Sequence, residues 1–243
     1  MSPETEQGPH RPGPHLEVGA PPESPVDAVA LLLHGGREKS HAPTTTGQLT
    51  VRRMRPFRTS LESSRREHGL VVWMLRYRVR GWNGPETSTM PDALWALEQI
   101  RVQHGTVPIV LVGHSLGGRT ALRVAGDAQV RAVAALAPWL PDGEPVDQLA
   151  GRTVMIMHGT LDTTTSPRES LEYARRARIA TERVCRIEVE RERHAMLWRY
   201  RLWHHLTTNF VFGALGYAPM PPLIAGALEG SGPDGEDPLR LRV

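Results

Sequence analysis

Three residue types with the chemistry of nucleophilic catalysis stand at three separate places in this chain of 243 residues. The first is Ser115, in Val110-Leu111-Val112-Gly113-His114-Ser115-Leu116-Gly117-Gly118, an apolar run that ends in a serine flanked by glycines. It passes directly into the helix-forming Thr120-Ala121-Leu122-Arg123-Val124-Ala125. A strand that turns abruptly into a helix forces its pivot residue into a strained conformation and leaves no room for side chains beside it, a need that Gly113 and Gly117 meet. The pivot lifts its hydroxyl clear of the backbone, and the helix that follows points N-terminal amides at whatever the serine attacks. A serine hydroxyl is a poor nucleophile at neutral pH. A base must take its proton, and a carboxylate must hold that base in the right tautomer. Asp162 follows an apolar stretch in His158-Gly159-Thr160-Leu161-Asp162, and His194 lies further on in a charged loop before the last helical segment.

Hydrophobic periodicity gives the elements that must position these groups. Short apolar or alternating runs predict strands over 26–33, 70–75, 109–112, 130–136, 153–157 and 184–189. Helical spacing predicts helices over 49–66 and 92–103, a third after Ser115, and a fourth opened by the capping box Ser166-Pro167-Arg168-Glu169. In the last helix Met196, Tyr200, Trp203, Leu206 and Phe210 recur as a core-packing stripe. Strands alternating with helices imply a mostly parallel sheet covered on both faces, with ligands at the carboxyl ends of its strands. Ser115, Asp162 and His194 all fall at that edge.

With these residues in place, the chain over roughly 26–215 resembles the α/β-hydrolase superfamily, whose order of serine, acid and histidine it shares and whose nucleophile elbow reads Gly-His-Ser-Leu-Gly here. The resemblance implies the α/β-hydrolase fold. It implies Ser115 as nucleophile, His194 as general base and acid, and Asp162 as the residue that orients His194. Asp142, just after the preceding strand, is an alternative acid position. His34-Gly35-Gly36 resembles the family's oxyanion loop, so the amides of Leu116 and of Gly36 or its neighbour Arg37 are expected to hold the developing charge. Many relatives insert a lid after the strand at 130–136. Only residues 138–152 stand there in this chain, which resembles dienelactone-hydrolase-like and small carboxylesterase members. An epoxide or haloalkane hydrolase would need aspartate at position 115. The expected reaction is hydrolysis of a small carboxylic ester through an acyl-serine, with no cofactor and no metal. Thioester hydrolysis, peptide cleavage, acyl transfer and a noncatalytic binding protein on the same fold remain as alternatives. Trp82, in the loop 76–90, is a candidate wall of the substrate pocket.

Composition limits the rest. A hydrophobic content of 40% in 243 residues suits one large core. The formal charge is +3, yet the arginines are interspersed with acidic residues, which argues against a nucleic-acid footprint. Cys185 stands alone, so neither an intramolecular disulfide nor a cysteine metal cluster can form, and a reducing, cytoplasmic setting fits. The adjacent His204 and His205 lack metal-ligand spacing. Residues 1–25 lack the apolar core of a secretory signal and read as a disordered tail. The uncharged segment 209–228 contains Pro219, Pro221 and Pro222, which argues against a membrane span. Residues 216–243 read as an irregular tail.

Overall fold

The computed structural model describes residues 13–65, 68–232, 235 and 237–243. The apolar run at 26–33 forms β2 (Ala28–Leu33), every residue of it buried. Beside it lie β3 (Leu70–Arg76) and β4 (Ile109–His114), then β5 (Val130–Leu136), β6 (Thr153–Gly159) and β7 (Val184–Val189), all parallel. Near-continuous Val, Leu, Ile and Ala in these strands reflect burial on both faces. The expected strands at 130–136 and 184–189 coincide with β5 and β7, while β4 and β6 run two residues further, to His114 and Gly159.

Helices cover both faces. One face packs against α1 (Leu49–Arg52), α2 (Arg55–Ser64), α6 (Tyr200–Ala214) and α7 (Pro222–Leu228), through Val51, Phe57, Trp203, Phe210 and Ile224. The other packs against α3 (Thr89–His104), α4 (Leu116–Val124) and α5 (Pro167–Ala180), through Leu97, Ala121 and Tyr173. Ser166 caps α5, its side chain accepting the Glu169 N–H at 3.1 Å.

Several expectations are corrected. The helix expected over 49–66 is two helices, because Pro56 in the first turn of α2 has no N–H with which to continue the preceding turn. Its expected end, Arg66, lies outside the described residues. The expected tail over 1–25 is partly ordered: β1 (His15–Val18) pairs antiparallel with β3, while residues 1–12 lie outside the described residues. The expected irregular tail over 216–243 contains α7 and β8 (Leu241–Arg242), which pairs parallel with β7. Pro222 stands at the first helical position of α7, where its missing N–H is no loss. Of the expected stripe, Met196 is buried but lies ahead of α6, and Tyr200, its first residue, is 43% exposed. The sheet order among the described residues is β1-β3-β2-β4-β5-β6-β7-β8, so β2, β4 and β6, which lead into the Gly35-Gly36 loop, the turn at Ser115 and the Asp162 loop, lie in its middle. Between β5 and β6 stands one short 3-10 turn at Asp147–Leu149 and no helical cap. No helix among the described residues is long and apolar enough to cross a membrane.

Candidate active site

At the end of β4 the chain turns sharply at Ser115, whose φ of 57° and ψ of −117° lie outside the comfortable range of an L-residue. Hydrogen bonds hold it there: its N–H donates to Leu136 O at 2.9 Å, and its carbonyl accepts from the N–H groups of Trp139 at 3.1 Å and Arg119 at 3.2 Å. The glycine requirement is steric. A Cβ on Gly113 would come within 2.2 Å of Gly117 O, and one on Gly117 within 2.1 Å of Leu33 O.

Asp162 sits in the loop after β6 and His194 in the loop after β7, and the two meet with His194 Nδ1 2.8 Å from Asp162 Oδ2. Asp162 Oδ1 accepts the N–H groups of Thr164 at 2.8 Å and Thr165 at 3.0 Å. Burial alone would raise the Asp162 pKa, but hydrogen bonds from His158, His194 and the Thr165 amide outweigh it and hold the carboxyl well below the usual carboxylate range. Asp142 is exposed and takes no part in this cluster.

Two further groups share Asp162 Oδ2. Thr165 Oγ1 lies 2.9 Å away and His158 Nε2 3.2 Å away; Thr165 Oγ1 is also 3.1 Å from His194 Nδ1. Sequence reasoning missed Thr165 altogether. The signal for it was its spacing from Asp162 in His158-Gly159-Thr160-Leu161-Asp162-Thr163-Thr164-Thr165. Burial lowers the pKa of His158, and brings that of His34 down to about 4 and that of His114 to about 3. His114, next to the serine, donates Nε2–H to His194 O at 3.0 Å, and the two rings lie 4.8 Å apart. The elbow and the His194 loop are thereby tied together. Among the described residues, Ser115 Oγ itself makes no hydrogen bond.

The loop after β2 packs on the elbow. A Cβ on Gly35 would meet Ser115 Cβ at 3.3 Å, and one on Gly36 would meet Leu116 Cδ2 at 2.4 Å and Arg80 O at 2.3 Å. His34 braces the turn, donating Nδ1–H to Gly35 O at 2.6 Å and accepting the Tyr77 N–H at 3.2 Å. The Leu116 N–H lies in the first turn of α4, where amides have no partner within the helix. No backbone acceptor among the described residues takes the Gly36 N–H. Arg37 is corrected as an oxyanion donor, because its N–H is already spent on Arg80 O at 2.8 Å. Trp82 is corrected as a pocket wall: it is 3% exposed, and the Arg119 guanidinium lies 3.9 Å from its ring centre. The Trp139 ring centre also lies 4.4 Å from that guanidinium, and Glu144 Oε1 accepts its Nε–H at 3.0 Å. Cys185 is buried filler in β7, its thiol pushed up to about 12 by burial.

The family profile described as alpha/beta hydrolase fold matches residues 37–179. The chain belongs to the α/β-hydrolase fold family. Solved structures of α/β-hydrolases align along nearly its whole length. Est1E from Butyrivibrio proteoclasticus, solved with ferulic acid, has a TM-score of 0.64 at 12% identity, over 84% of this chain and 96% of that one. Esterase Est2 from Thermogutta terrifontis has a TM-score of 0.63 at 19% identity, over 85% and 91%. XC6422 from Xanthomonas campestris, described as an α/β serine hydrolase without lid, has a TM-score of 0.56 at 16% identity, over 86% and 91%. At these identities the likeness is one of fold. No relative was found among curated protein sequences.

Proposed function

We propose that this α/β-hydrolase is a serine hydrolase that cleaves small carboxylic esters through an acyl-serine intermediate. The observation that carries the reading is the 2.8 Å contact between His194 Nδ1 and Asp162 Oδ2, on the sheet edge where Ser115 holds its strained φ. An ionised Asp162 fixes the proton on His194 Nδ1 and leaves Nε2 free to act as a base. His194 takes the Ser115 proton as Oγ attacks the ester carbonyl carbon, and the oxyanion is held by the amides of Leu116 and Gly36. Collapse of the tetrahedral intermediate breaks the bond to the alcohol, which leaves with the proton from His194. Water then attacks the acyl-serine with His194 again as base, releasing the acid and restoring Ser115. The esterases among the structural neighbours support this reading, and the absence of a helical cap over residues 138–152 suits a compact, open site. A single, buried cysteine suits a cytoplasmic setting.

The test is release of p-nitrophenol from acetate, butyrate and octanoate esters by the wild type, Ser115→Ala and His194→Ala. Turnover lost in both variants supports the triad. A folded wild type inert towards all three esters, and towards the matching thioesters, overturns ester hydrolysis.

A further inference from the structure

Beside the elbow, a cleft of about 250 Å³ is lined by Gly36, Arg37, Gln48, Leu49, Thr50 and Arg80. It is continuous with the proposed oxyanion site through Gly36, which is wedged between Leu116 and the Arg80 backbone. Its lining holds two guanidinium groups and no carboxylate. Arg80 is half-buried; it donates Nε–H to Pro43 O at 2.9 Å and Nη2–H to the Gln48 side-chain oxygen at 2.9 Å, both neutral partners. The Arg37 side chain makes no hydrogen bond or ion pair among the described residues. Other arginines of the chain divide between carboxylates, as Arg58 with Glu17, Arg119 with Glu144 and Arg186 with Glu188, and backbone carbonyls, as Arg76 on Thr44 O and Arg152 on Ala125 O; what sets Arg80 apart is a second guanidinium, that of Arg37, in the same cleft. Two larger clefts, of about 580 and 550 Å³, lie off the site, one at His41, Arg78 and Glu86 and one at Arg178, Glu182 and Glu229, and each already holds a carboxylate.

Two guanidinium groups in one cleft that holds no carboxylate and adjoins the proposed oxyanion site through Gly36 are a recognition element for an anion. Resting on the ester-hydrolase reading, we propose that the substrate is a small ester carrying a carboxylate, which Arg80 and Arg37 bind in this cleft. Arg80 is the principal contact, because its guanidinium is held in place and part-desolvated, whereas Arg37 is exposed and adds long-range attraction. The volume, below the roughly 300–1,000 Å³ of sites for drug-sized ligands, suits a short chain or one ring.

The experiment pairs charged and neutral esters of equal shape. Mono-4-nitrophenyl adipate against 4-nitrophenyl hexanoate places the charge on the acyl side, and 4-acetoxybenzoate against 4-acetoxybenzamide places it on the alcohol side. In at least one pair the wild type has the higher kcat/KM on the anion, and Arg80→Gln lowers the charged-to-neutral ratio about tenfold, as expected for loss of a hydrogen bond to a charged group. Arg131→Gln, an exposed arginine at the start of β5 and so at the opposite sheet edge, leaves the ratio unchanged. Calorimetric titration with adipate and 4-hydroxybenzoate reads the same site without turnover, with a Kd weakened about tenfold by Arg80→Gln. Ratios near one in both pairs together with no Arg80-dependent binding overturn the proposal. Failure to hydrolyse any of the four esters overturns the ester-hydrolase reading instead, and the titration then decides whether the anion site stands.

Discussion

His158 Nε2 and Asp162 Oδ2 lie 3.2 Å apart, on the same carboxylate oxygen that His194 Nδ1 approaches to 2.8 Å. His158 is wholly buried and kept neutral by burial, so it supplies Asp162 with a donor rather than a charge. A hydrogen bond to a charged group contributes about 1.5–3 kcal/mol, so His158→Met is expected to lower kcat roughly tenfold or more with little change in KM. His158→Gln keeps a donor near that place and is expected to recover most of the rate. Asp162→Asn, which spoils the His194 tautomer, costs far more, on the order of 10⁴-fold in kcat. Saturation kinetics on p-nitrophenyl acetate order the three variants, and a His158→Gln no faster than His158→Met would count against the donor role.

Ser115 holds φ 57° without being glycine, a backbone cost of about 1–3 kcal/mol for a residue with a Cβ. Ser115→Ala removes the hydroxyl and keeps the strain, whereas Ser115→Gly removes both. Glycine is therefore expected to be more stable than alanine at this position by about 1 kcal/mol, with both inactive. Urea denaturation of the two variants checks it, and equal midpoints would mean that the turn carries no strain.

Burial lowers the pKa of His34 to about 4 and that of His114 to about 3, from the ordinary 6.5. Below pH 6.5 the unfolded chain takes up protons at these positions that the native state refuses, so stability is full above pH 6.5 and is lost as pH falls from there towards 4 and 3. Each residue contributes a slope of up to about 1.4 kcal/mol per pH unit in that window. Urea midpoints at pH 7, 6 and 5 are expected to fall in step. His114→Phe is expected to flatten the dependence, and an unchanged slope would remove His114 from the account.

Arg119 packs against both Trp82 and Trp139 and bonds the buried carboxylate of Glu144. Arg119→Ala strips that carboxylate of its closest partner, leaving only Arg123 at 3.8 Å among the described residues, and is expected to destabilise the fold by about 3 kcal/mol. Arg119→Lys keeps the charge but loses the planar stack, and should fall between the two. A loss below about 0.5 kcal/mol in Arg119→Ala, within the range of an ordinary surface change, would show the cluster to be incidental.

The most legible parts of the fold were those whose cause is local. Gly113 and Ser115 encode a turn whose steric demands act within five residues, and the apolar runs of β5 and β7 announce burial by themselves. What escaped depends on distant partners. β1 and β8 are short segments that exist because β3 and β7 offer open edges to pair with. Trp82 looked like a pocket wall until Arg119, far along the chain, was found on its ring. The choice between Gly36 and Arg37 could not be made from their order, because it turns on Arg80 O taking the Arg37 N–H. Thr165 looked like loop sequence, and its contact with Asp162 Oδ2 depends on how the loop after β6 folds back.

The central claim, that Ser115 is a nucleophile driven by His194 and Asp162, is tested most directly by intact-protein and peptide mass spectrometry after exposure to a fluorophosphonate. The account predicts one adduct, located on Ser115, absent in Ser115→Ala and formed far more slowly in His194→Ala and Asp162→Asn. A folded wild type that stays unlabelled, or an adduct on another residue at a rate indifferent to His194 and Asp162, would contradict it.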